Sequence, residues 1–112
     1  MSSAAHKKWV GQSAKALTYL RAVHSVVREA GSGRRVAAQQ ITHAFAVLLM
    51  AQFQGFCRDL HTEATDALAS VVRPAGLGTT LRAHLMAARA LDRGNATAGN
   101  IGSDFDRLGI EF

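Results

Sequence analysis

Apolar residues recur along this chain every three or four positions, the interval of an α-helix and not the alternation of a strand. Near the start, Ala16, Leu20, Val23, Val27 and Ala30 are spaced 4-3-4-3, and Trp9 lies one heptad before Ala16. This predicts a helix from about Ala4 to Glu29 with an apolar seam turned toward other helices. Gly31-Ser32-Gly33 is expected to end it, because glycine readily takes the left-handed C-cap conformation. A second run, anchored on Ile41, Phe45, Leu48, Phe53, Phe56, Leu60 and Leu68, predicts a long helix over about 35–72. At ~1.5 Å per residue it would span about 55 Å. Residues 44–51 are apolar all round and are expected to be buried on every side. Gly55 interrupts the interior and marks either a bend or a close helix crossing. Pro74 is expected to stop the helix, because proline disfavours helical geometry in the residue before it.

A third helix is predicted over about 80–93, with Thr79 as N-cap and Gly94 just past its end. Leu81, Leu85, Ala88 and Leu91 would form its inner side. Arg82, Met86, Arg89 and Arg93 would share another face, within about 60° of one another. Residues 94–112 change character. Asn95, Gly99, Asn100, Gly102 and Ser103 predict a loop, and Ser103 to Asp106 one short helical turn. Phe105, Leu108, Ile110 and Phe112 then supply apolar anchors that dock on a core or on another chain. The expectation is a single all-α domain over 1–112, a small helical bundle with one long central helix and an irregular C-terminal segment.

Composition and charge narrow the classes of function. The single cysteine, Cys57, excludes an intramolecular disulfide and suits a reducing compartment. No apolar stretch of signal-peptide length follows Lys7 and Lys8. The longest apolar run, 44–51, is far short of the ~20 residues of a membrane span. A cytoplasmic protein without membrane association is therefore expected. The net charge of +5 is unevenly placed: residues 1–35 hold seven Lys/Arg against Glu29. A basic first helix attracts phosphate backbones, so Lys8, Lys15 and Arg21, with Arg82, Arg89 and Arg93, are the candidate nucleic-acid contacts. The opposing reading of both basic faces is solvated charge, with arginine stems lying on the core.

Little in the sequence points to catalysis. The five histidines include no His-Glu-x-x-His pair, and no glycine-rich phosphate loop is present. Asp59, Glu63 and Asp66 share one helical face near His61, where a divalent ion or simple solvation would both fit. Cys57 sits in an apolar context, as an inert buried thiol does. No metal and no cofactor is expected.

The stretch Ala44-Phe-Ala-Val-Leu-Leu-Met-Ala-Gln-Phe-Gln-Gly-Phe-Cys-Arg-Asp-Leu60 resembles the long second helix of HEPN domains. These are small helical bundles of bacterial toxin–antitoxin and phage-defence systems. Phe53-Gln54-Gly55-Phe56 and Arg58-Asp59-Leu60 carry the likeness, which extends over roughly 36–112. Gln54 stands where many members have glutamate. The resemblance implies RNA as a partner and association into dimers. It also implies, in active nucleases, an arginine and a histidine with four to six residues between them. No arginine here has that partner; the nearest miss is Arg35 to His43. The expectation is therefore a non-catalytic, self-associating domain that binds RNA or an RNA-associated protein, or else a protein–protein scaffold. A nuclease motif beyond Phe112, in a longer protein, is a further possibility that the apolar ending leaves open.

Overall fold

The computed structural model describes residues 3–29 and 35–111. The expected Gly31-Ser32-Gly33 turn and Phe112 lie outside them. The described residues are helical and contain no strand. An N-terminal rod is built from α1 (Ala4–Lys8), a π-helical turn (Trp9–Ser13) and α2 (Ala14–Glu29). The central helix α3 (Arg35–Ser70) is followed by α4 (Ala75–Met86), a 3₁₀ turn (Ala90–Asp92) and α5 (Ala98–Asp106).

The rod lies antiparallel on α3. Ala5 N donates to Glu63 Oε1 at 3.0 Å, and Lys8 Nζ to Asp59 Oδ2 at 3.0 Å. Further along, Ser13 Oγ donates to Gln52 Oε1 at 2.7 Å, and His24 Nε2 meets Thr42 Oγ1 at 3.0 Å. The numbers in each pair add to between 65 and 68, so one register holds along the whole rod. The π turn makes this possible. Ala5, Trp9, Ser13 and Leu17 are four apart and would drift round a regular helix of 3.6 residues per turn. The wider turn, marked by Ala14 N bonding to Trp9 O, returns them to the α3 side. Trp9 then packs on Phe56 and Phe53, with ring centroids 5.6 and 6.4 Å apart.

Beyond Trp9 the seam differs from the expected one. Leu17, Leu20, His24 and Val27 turn toward α3, whereas Val23 is 50% exposed. The apolar stretch 44–51 is not enclosed either: Val47 is 70% exposed, because α2 covers one side of α3 and none of the described residues covers the other. Part of α3 is long and apolar enough to cross a membrane by length and composition.

The body of the molecule forms around the second half of α3. Cys57, Leu91 and Phe105 make its buried centre, with Phe56, Leu60, Ile101 and Leu108 packed against them. Phe105 and Leu108, expected to dock on a core or on another chain, are part of this chain's own core. Ile110 remains exposed.

The segments after α3 depart most from the expectation. α3 closes on i→i−3 bonds from Val71 and Val72, and Pro74, in extended geometry, starts α4 five residues before the expected Thr80. Thr79 is no cap; its hydroxyl bonds back to Ala75 O inside the helix. α4 then stops at Met86, not Arg93, because Ala87 is extended and Ala88 takes φ +53°. Arg107 closes that end, donating to the carbonyls of His84 and Ala87. The expected loop 95–103 is largely α5, capped by Thr97 Oγ1, which accepts from Asn100 N at 3.2 Å.

The close crossing sits at Gly78, where a Cβ would lie 2.5 Å from the Ala69 carbonyl oxygen. At Gly55 a Cβ would meet nothing within 4 Å. Gly78→Ala is expected to lower stability by about 1–3 kcal/mol, because backbone atoms must shift. Gly55→Ala is expected to raise it by up to about 1 kcal/mol through helix propensity. Urea unfolding of the two variants checks both signs.

Candidate functional site

Two polar constellations stand out, one open and one enclosed. The open one is a groove of ≈ 480 Å³ between α2 and α3, lined by Arg21, His24, Ser25, Arg28, Thr42 and Phe45. Arg21, Ser25 and Arg28 follow one another at steps of four and three along one stripe of α2. Thr42 has a single hydroxyl proton, donated to Ala38 O at 3.0 Å, so it accepts from His24 Nε2–H. That bond fixes the imidazole in the groove wall. Glu29 is the one acid in residues 14–58, so positive charge here is little offset.

Of the six expected nucleic-acid contacts, only Arg21 lines this groove. Lys15 is exposed on the same helix but about 120° away from Arg21. Lys8 pairs with Asp59, and Arg82 pairs with Asp66. Arg93 is exposed, with Nη2 donating to Ala88 O at 3.1 Å. The arginine stripe does not exist as such: α4 ends between Arg82 and Arg89, and Arg89 turns inward. His24 and Thr42 were missed because the pairing of the two helices brings them together, whereas Arg28 lies one heptad from Arg21 and helical spacing alone could have found it.

The enclosed constellation is built on Arg89. Its guanidinium grips Asp92 through Nε at 3.2 Å and Nη2 at 2.9 Å. Its Nη1 reaches Thr62 Oγ1 at 2.9 Å and Arg58 O at 3.2 Å. His61 Nδ1 lies 3.4 Å from the same nitrogen. His61 is fully buried, stacks edge-on to Phe105 at 5.4 Å, and meets Asp104 O through Nε2 at 3.2 Å. That carbonyl can only accept, so Nε2 carries the proton and Nδ1 faces Arg89 as an acceptor. The buried Asp104 carboxylate accepts from Ala90 N at 2.7 Å and Leu91 N at 2.8 Å, capping the 3₁₀ turn.

An arginine and a histidine thus meet in space, but walled in where no substrate reaches them. The acidic face of α3 is likewise taken up: Asp59 holds Lys8, Glu63 caps Ala5 N, and Asp66 holds Arg82. Among the described residues no group of His, Cys, Asp and Glu is placed to hold a metal ion. Burial raises the Cys57 thiol pKa, which keeps it protonated and unreactive.

Gln54 has a clear structural task. Its amide Nε2 donates to Leu91 O at 2.9 Å and Gly94 O at 2.7 Å, tying the 3₁₀ turn to α3. A carboxylate cannot donate to either carbonyl. Gln54→Glu is expected to cost about 1–3 kcal/mol, measured by chemical unfolding near pH 7.

Burial first, and then the Arg89 guanidinium, hold the His61 pKa below the usual imidazole value. The unfolded chain therefore takes up this proton first as pH falls. The resulting stabilisation is complete above the ordinary imidazole pKa of about 6.5 and is lost as pH falls below it. The Arg89 hydrogen bonds hold the Asp92 carboxyl below its ordinary range, which adds a loss of the same sign in more acidic solution. His61→Gln keeps a donor for Asp104 O but cannot titrate. It is expected to flatten the fall in melting temperature between about pH 7 and pH 5. An unchanged slope would assign that fall to another group.

No family model, curated protein or solved structure matches this chain.

Proposed function

We propose that the chain is a non-catalytic, HEPN-like RNA-binding domain of the toxin or defence kind, holding phosphate in the groove between α2 and α3. The observation that carries this reading is the groove itself. Arg21 and Arg28 present two guanidiniums beside His24 and the hydroxyls of Ser25 and Thr42. Guanidinium forks and hydroxyls suit phosphate oxygens. Binding of this kind is insensitive to sequence and strongly dependent on salt. The resemblance of residues 44–60 to HEPN domains supplies RNA as the source of the phosphates. The reading is non-catalytic because the sequence lacks the paired arginine and histidine, and the Arg89–His61 contact is enclosed.

A second reading, a protein–protein scaffold, is favoured by the exposed apolar side chains of the α2–α3 pair. Fluorescence anisotropy with labelled single-stranded RNAs of unrelated sequence separates the two. Arg21→Gln with Arg28→Gln is expected to weaken binding similarly for each RNA and flatten the salt slope by up to about 0.7 per lost contact. Arg82→Gln, whose parent side chain pairs with Asp66, should change little. Absence of binding at low salt would leave the scaffold reading in place. Reproducible cleavage abolished by His24→Gln would replace the non-catalytic reading with a catalytic one.

A further inference from the structure

The α2–α3 pair extends from the body as a limb that covers each of its helices on one side only. The Cα radius of gyration is 18.7 Å, against about 13 Å for a compact chain of this length. The exposed surface is 7658 Å², roughly 1,700 Å² above that of a compact monomer of this mass. A stable dimer buries about 800 Å² on each partner, so the surplus is large enough to hold such an interface.

A second apolar seam runs along one side of the limb. On α2 it consists of Tyr19, Val23 and Val26, which are 75%, 50% and 68% exposed. On α3 it consists of Ala37, Ala44 and Ala51, one heptad apart and exposed, with Val47 between the last two. At 100° per residue, each seam stands about 100–120° round its helix from the side that packs on the other helix. In an antiparallel pair these rotations bring both seams to one side of the limb, the side opposite the Arg21–Arg28 groove.

We infer that this face binds a second copy of the chain, so that two limbs form a four-helix bundle. Three features select that occupant. The face complements itself: α2 offers bulky side chains and α3 offers alanines. A twofold axis along the limb places α2 of one copy on α3 of the other, with all neighbours antiparallel, as in bundles of short-looped helices. Second, the shared register sets Val23 level with Ala44, so bulk meets space without sliding the limbs. Third, the seam residues themselves are uncharged, Lys15 lies only at their edge, and the basic groove faces away, so most of the limb's positive charge stays out of the contact. The dimer would leave one groove open on each outer side. The inference does not rest on those grooves binding RNA.

Sedimentation equilibrium tests it. The wild-type chain is expected at twice 11.9 kDa in the micromolar range. Ala44→Glu should weaken the dimer at least tenfold, while Thr18→Glu, on the groove side of α2, should not. Because loosening the limb risks unfolding it, cysteine pairing supplies an independent readout. Val23→Cys mixed with Ala44→Cys should form a disulfide-linked dimer on mild oxidation, and neither variant alone should do so efficiently. The buried Cys57 stays out of that reaction. A wild-type monomer throughout the range overturns the inference, as does an Ala44→Glu dimer of unchanged affinity or failure of the mixed pair to cross-link. A monomer that floats with phosphatidylcholine vesicles would assign the face to a membrane instead.

Discussion

Each of the other elements packs on α3, and α3 is longer than the set of elements that can cover it. A 36-residue helix with apolar residues on several sides needs neighbours on several sides. The chain provides them around the second half, where the start of the rod, α4, the 3₁₀ turn and α5 gather. Along the first half, among the described residues, it provides α2 alone. The elongated outline, 65 × 27 × 21 Å, follows from that mismatch. So does the exposure of Val47 and Met50, which a bundle closed on itself would have buried.

Where α3 is well covered, polar groups do much of the positioning. Asp104 caps two successive amides of the 3₁₀ turn, Gln54 donates to two of the carbonyls that follow, and Arg89 links that turn to α3. A short turn without these partners would leave backbone groups buried and unpaired, at a cost of about 1–3 kcal/mol each. The positive φ at Ala88 is part of the same arrangement. It ends α4 and turns the following arginine inward, so a side chain that would bind solvent or phosphate on a continuous helix becomes part of the core.

The limb carries its two chemistries on opposite sides. Arg21 and Arg28 lie to one side of the α2–α3 contact, and Tyr19, Val23 and Val26 lie to the other. Separation of this kind lets an apolar face be covered while a basic groove stays in water. It also makes the two proposals independent, since changes on one side leave the other untouched.

Local pattern by itself determined the all-α class, the length of the central helix and the helical character of the N-terminal segment. Each rests on apolar periodicity and on strong local breaks such as Pro74. It placed Cys57 in apolar surroundings and Arg21 on a basic helix. Local pattern misread the region after Pro74. Gly76 and Gly78 fall before the expected start of the third helix, yet Gly78 is the point where α4 crosses the end of α3. Residues 98–102 read as a loop because glycine and asparagine are weak helix formers, yet Thr97 capping and burial of Phe105 draw them into one helix with the expected turn at 103–106. Whether a charged or apolar side chain is buried depends on which elements meet. The tertiary structure alone decided that Arg89 and Phe105 turn inward, that Val47 stays outside, and that His24 and Thr42 join Arg21 and Arg28 in one groove. These contacts join residues far apart in the chain, and helical spacing within one element carries no information about them.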